Sequence, residues 1–236
     1  MGLKIDQLSA LMVLLNNFLF LSMIVFSYKK PFMEHLFIFL FLSLQGFING
    51  IFLSTDFFNV YILIEVATIC ASILIMYKKD SQSMYDGMIY LIANMVAMAF
   101  FLFGVGFLYK YYGVLDFIHI REAIVNDPGP EKLFIPFAFL LTGVALKAAL
   151  MPLFSWLPKA HGTASAPSIV SAILSGIFVK SGIYLLIRLQ EIFSGVIDMQ
   201  PLFLLIAFMT AISGFIFAIS QTDLKLILAY HTISQV

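Results

Sequence analysis

Charge is scarce in this chain. Only 11% of its 236 residues are Asp, Glu, Lys or Arg, where a soluble domain carries about a quarter. The 13 basic and 13 acidic residues cancel, so no polyanion-binding surface and no nucleic-acid partner are expected. One cysteine, Cys70, excludes an internal disulfide, a cysteine-ligated cluster and a zinc finger. No glycine-rich phosphate loop or dinucleotide fingerprint is present. No cofactor is therefore expected on this polypeptide, and any redox centre, such as an Fe–S cluster, belongs on a partner subunit. The apolar stretches also lack a His-rich metal set and any nucleophile–base spacing, which argues against a membrane-embedded enzyme.

What the chain has instead is apolar length. Its composition is 62% hydrophobic, with a mean hydropathy of +1.03. A bilayer core takes about 20 apolar residues per helix. Seven segments meet this: 8–27, 36–54, 57–77, 88–109, 133–154, 168–187 and 202–220. The expected fold is an all-α polytopic bundle of seven to eight transmembrane helices. The first segment is too long for a signal peptide and no small-residue cleavage site follows, so an uncleaved spanning helix is expected. An eighth segment begins near residue 224 and has too few residues to span before Val236. Either the sequence is part of a longer chain or another polypeptide completes that helix.

The loop 110–132 is the long one. Its Asp127-Pro128-Gly129-Pro130 run reads as a turn, and Asp116 to Val125 as a short surface helix. Lys29, Lys30, Lys78 and Lys79 follow the first and third segments, whereas the loop after the second has Asp56 and no base. The positive-inside rule then puts these lysines and Lys159 on the cytoplasmic side of a prokaryotic cell membrane, with the N-terminus outside.

Three ionisable residues lie far from any helix end. Glu65 is the ninth residue of 57–77, Lys147 the fifteenth of 133–154 and Lys180 the thirteenth of 168–187. At ~1.5 Å per residue each falls within about 5 Å of its segment's midpoint, so they can form a row in the membrane plane. Each costs at least ~2.5–3.5 kcal/mol to insert unless paired or hydrated. The plain reading is a Glu65–lysine bridge holding helices together. The sharper one is proton transfer: a desolvated lysine holds and releases a proton near neutrality, and a carboxylate that approaches or withdraws controls the release. For Lys180, Ser171, Ser175 and Ser181 leave open a merely polar helix face.

Pro152 sharpens the case for Lys147. It has no N–H for the carbonyl of Ala148, so the helix is expected to open just after Lys147. Broken helices in membranes line cavities or are buried in protein. Pro158 follows as a second breaker. His161, beyond the break, is either a shuttle between water and Lys147 or an ordinary loop histidine. His231 is either a relay group or a solvated histidine near a helix start. His35 and His119 are expected at the surface. Asn94, Asn49 and Gln45 either hold water or bond between helices.

The motifs themselves are recognisable. Gly143-Val144-Ala145-Leu146-Lys147, Met151-Pro152-Leu153, Trp156-Leu157-Pro158-Lys159-Ala160-His161, Ser165-Ala166-Pro167 and Val179-Lys180-Ser181-Gly182 resemble the antiporter-like membrane subunits. So do Thr222-Asp223-Leu224-Lys225 and Thr232-Ile233-Ser234-Gln235. That family is shared by respiratory complex I, membrane-bound hydrogenases and Mrp-type sodium/proton antiporters; the His161-Gly162 and Ser165-Ala166-Pro167 stretch looks closer to the last two. The resemblance implies that Glu65 is the family's key glutamate, Lys147 the lysine on the broken helix and Lys180 the connecting lysine. It implies a five-helix repeat over 36–188, preceded by a helix and loop over 1–35 and followed by an incomplete second repeat over 189–236. It further implies a proton- or sodium/proton-translocating subunit of a redox-driven complex or multi-subunit antiporter, with partners that include a chain completing the second repeat. The rival is a non-conducting scaffold. Lys159 and Phe154 depart from the family's frequent acid and histidine, so no proton uptake is expected through them.

Overall fold

The computed structural model describes residues 2–127, 129–163 and 166–236. Pro128 of the expected turn and Ser165 of the family-like motif lie outside them. Long helices alternate in direction: α1 (Gln7–Ser27), α2 (His35–Leu53), α3 (Phe57–Ile75) and α4 (Ser81–Tyr112). A short α5 (Phe117–Val125) lies across one end, as expected for Asp116 to Val125, and α6 (Phe134–Lys147) turns back inward. After a break come α7 (Ser168–Ile173), a π-helical turn and α8 (Val179–Phe193), then α9 (Gln200–Ile219) and α10 (Leu224–Ser234). Among the described residues, six helical stretches are long and apolar enough to cross a membrane, the 168–193 stretch counting as one.

The helix starts are written in aspartates. Asp6, Asp56, Asp80, Asp116 and Asp223 each occupy the position before a helix and accept a backbone N–H from its first turn. Two expectations change. The segment expected at 88–109 begins seven residues earlier, about two turns, because Asp80 caps it at Ser81. The segment 133–154 is not one helix: α6 has 14 residues and stops at Lys147.

Two ends can be distinguished. At one, the N-terminal residues, the α2–α3 turn and the start of α5 form a small clasp. Leu3 bridges Ser54, Asp56 bridges Asp116, and the Phe117 N–H donates to the Thr55 carbonyl at 2.8 Å. Arg188, the tenth of the 15 residues of α8, is ion-paired there with Asp6 and, at 2.8 Å, with Glu191. It does not snorkel to water as a lone cation at a helix end does: its side chain is 13% exposed. The lysines 29, 30, 78, 79 and 159 gather at the opposite end. Between the ends α4 and α6 pack closely: a Cβ on Gly143 would lie 2.7 Å from the Ala97 carbonyl oxygen, so only glycine permits the approach.

At the clasp end, the Lys132 ammonium and the Tyr112 hydroxyl both bond the Asp127 carboxylate at 2.6 Å. Lys132 first, then Tyr112, hold the Asp127 carboxyl down at about 2. A depressed acid stabilises the fold fully above its ordinary value of 3.8 and loses that contribution as pH falls through about 2. Hydrogen exchange in the 126–133 loop is therefore expected to be the same at pH 5 and pH 7. Asp127→Asn is expected to raise it at both.

Candidate functional site

The site is built on the break after Lys147. Three bonds close α6: Ala148 N–H to the Val144 carbonyl at 2.8 Å, Ala149 N–H to Leu146 at 3.1 Å and Leu150 N–H to Ala145 at 2.9 Å. Ala149 sits at φ 54°, in the left-handed region. This is the glycine-type C-terminal turn, made here with an alanine. The helix opens where Pro152 led us to expect. The chain has already turned three residues before that proline, which is exposed inside the irregular stretch. Trp156 fastens the far side of the break: its indole N–H donates to the Leu146 carbonyl at 2.9 Å. The Met151 N–H donates to the Thr210 hydroxyl on α9 at 2.9 Å. Pro158, buried, then begins a π-helical turn, Pro158–Gly162.

Lys147 is 0% exposed. Its ammonium donates to the Thr68 hydroxyl on α3 at 3.2 Å and to the Asn94 side-chain oxygen on α4 at 3.3 Å. It also stands over the Phe178 ring at 3.6 Å from the centroid. Asn94 is held in turn by donating to the Tyr90 carbonyl at 2.9 Å. Each of these contacts is to a neutral group. Glu65 lies on α3, half-buried, one turn before Thr68; the two charges act on each other through space, yet among the described residues no ion pair closes between them.

Lys180 lies just beyond the second π-helical turn, Leu174–Phe178, and donates to the Ser175 carbonyl at 2.6 Å. Phe178, the ring under Lys147, belongs to that same turn. π-turns leave backbone groups free for such contacts and gather at functional sites. His161 is 4% exposed and so is not an ordinary loop histidine. Its Nε2 has no hydrogen-bond partner among the described residues, and the charges of Lys225 and Lys180 act on it. His231 is exposed on the last turn of α10 and does not join the group. His35 and His119 are exposed, as expected.

Sequence reasoning named Asn94 and missed Thr68, Tyr90 and Asp86. Thr68 was signalled by its place three residues after Glu65 in an apolar run. Tyr90 is fully buried, edge-on to Trp156 at 5.5 Å, and its hydroxyl has no hydrogen-bond partner among the described residues. Asp86 is 1% exposed and accepts from Gln82 at 3.0 Å and from Thr163 at 2.8 Å. It ties α4 to the residue after the His161 turn. It went unread because the helix was expected to start at residue 88.

The family model described as "NADH:quinone oxidoreductase/Mrp antiporter, TM" matches residues 54–236. The chain belongs to this family. A Na(+)/H(+) antiporter subunit of Alkalihalophilus pseudofirmus is 29% identical over 240 residues, which cover 98% of this chain and 48% of that protein. The chain thus spans about half the length of the curated relatives it matches. Among solved structures, a chain of the archaeal membrane-bound sulfane sulfur reductase, a respiratory membrane complex, superposes with a TM-score of 0.90 at 28% identity; the match covers 99% of this chain and 48% of that one. A chain of the Mrp complex from Dietzia superposes at 0.85 and 25% identity, over 99% and 44%. This member of the NADH:quinone oxidoreductase/Mrp antiporter family thus has structural neighbours that are chains of a respiratory membrane complex and of an Mrp complex.

Proposed function

We propose that this chain moves protons along Glu65, Lys147 and Lys180, as one membrane subunit of a larger ion-translocating complex. One observation carries the reading: a fully buried lysine at a helix break, held by a hydroxyl, an amide and a ring, with its nearby carboxylate left unpaired. A structural bridge closes its ion pair, because a buried charge without its partner is costly. A transfer site keeps the pair open, so that Glu65 gates the proton by approach and withdrawal. The unpartnered Tyr90 hydroxyl and His161 Nε2 support a hydrated route, since buried polar groups of this kind recruit water. His161 then links Lys180 to the lysine-rich end, which we assign to the cytoplasm, with the N-terminus outside. Whether proton movement is exchanged for sodium, or driven by Fe–S redox partners, belongs to the rest of the assembly, including the chain that completes the second repeat.

Lys147→Ala decides the matter. In vesicles containing the assembled complex it is expected to reduce proton transport at least tenfold, read from a pH-sensitive dye, with the set of assembled polypeptides unchanged. Lost assembly with normal transport in the surviving particles would instead make the chain a scaffold.

A further inference from the structure

A second polar group lies on the opposite flank, between α1 and α2. Asn16 donates to the Gln45 carbonyl at 3.2 Å and to the Asn49 side-chain oxygen at 2.8 Å. Asn17 accepts from Gln45 at 2.8 Å and from Asn49 at 2.9 Å. These bonds join the two helices, one of the two roles that the sequence left open for Gln45 and Asn49. They do not exhaust the four amides. Asn17 is exposed, and among the described residues its own N–H groups have no acceptor and the Gln45 side-chain oxygen has no donor. Asn16 is 0% exposed and its side-chain oxygen is likewise unpartnered.

Depth makes these open valences significant. Asn16 and Asn17 are the tenth and eleventh of the 21 residues of α1, and Gln45 the eleventh of the 19 of α2. They therefore stand about 15 Å from either end of α1, midway through a hydrocarbon layer of about 30 Å. Lipid chains offer them nothing, and open polar groups in lipid are not tolerated. Beside them Gly46 is exposed, and a Cβ placed there meets nothing within 4 Å. The flank is thus notched at the depth of the amides, with Leu42 and Phe39 standing out on the same α2 stripe.

We propose that this flank receives a transmembrane helix of a partner subunit, carrying at mid-depth an amide or hydroxyl that both donates and accepts. The inference rests on the reading of the chain as part of a larger assembly. Small residues and interhelical hydrogen bonds are what holds helices together where there is no hydrophobic drive between them. The open donors on Asn17 and the open acceptor on Gln45 specify the partner's chemistry. The notch at Gly46 permits close backbone approach.

Gly46→Leu gives opposite signs in the two settings. In the isolated chain it replaces a poor helix former with a good one on an open face, so the melting temperature is expected to hold or rise. In the producing cell's membranes it fills the notch, and recovery of the intact complex is expected to fall at least tenfold. A photocrosslinker at Phe39 adds an independent readout, expected to map to a partner helix with Asn, Gln, Ser or Thr at the facing depth. Unchanged complex recovery overturns the proposal, as do crosslinks to lipid alone or to a second copy of this chain. Transport measured per assembled complex is expected to be unaffected by Gly46→Leu, so failure here is distinct from failure of the Lys147 test.

Discussion

Replacing Thr68→Val and Asn94→Leu together is expected to destabilise the chain by about 3 kcal/mol, and adding Lys147→Met is expected to restore most of it. The two side chains are the hydrogen-bond acceptors of a lysine that is 0% exposed, at 3.2 and 3.3 Å. Their apolar replacements keep the volume and remove the oxygens. The ammonium is left with the Phe178 ring, which interacts with it but accepts no ordinary hydrogen bond. A buried charge stripped of partners costs far more than a buried polar group exchanged for an apolar one of the same shape. Methionine matches the lysine stem and carries no charge, so the triple variant is expected to be nearly as stable as the parent and inactive in proton transport. Denaturant unfolding in detergent, followed by Trp156 fluorescence, checks the order of stabilities. If the triple variant is no better than the double, the loss lies in packing and Lys147 draws no support from α3 and α4.

Gly182→Ala is expected to cost about 2–3 kcal/mol and to disturb the break directly. An added Cβ lies 2.7 Å from the Ala148 nitrogen and 2.8 Å from its Cα. Those are backbone atoms of the turn that ends α6, and they have little freedom to retreat. Relief requires the turn or α8 to move, and either shift strains the contact of Lys147 with Phe178. Because Trp156 reaches back to the Leu146 carbonyl across the same turn, its emission is expected to move to longer wavelength. An unshifted emission together with parental stability would show that α8 slides aside freely.

The spans were readable because a bilayer demands length and apolarity, and both are written residue by residue. The charges within them were readable for a related reason: Glu65, Lys147 and Lys180 are too costly in the middle of such spans to pass unnoticed. What surrounds them was not. Thr68 and Tyr90 are ordinary members of apolar helices until the neighbouring helix is in place, and their role depends on which face meets Lys147. His161 read evenly between a relay and a surface residue, because burial after a break depends on where the chain goes next. Asp86 was hidden by a boundary: set about two turns too late, the helix left it as a loop acid. Pro152 announced an opening, while the residue that turns the chain, Ala149, carries no mark of a left-handed position.

The closing turn of α6 also has an electrostatic meaning. Peptide dipoles add along a helix, leaving roughly half a negative charge at its C-terminus. Lys147 is the last helical residue of α6. The helix that ends at Lys147 thus lends this residue part of a counter-charge from the backbone itself. A continuous helix through residue 154 would move that negative end about two turns away. The break leaves the side chain of Glu65 without an ion pair among the described residues, and the proposed proton transfer needs such a carboxylate, one that serves as a movable counter-ion and not a permanent one.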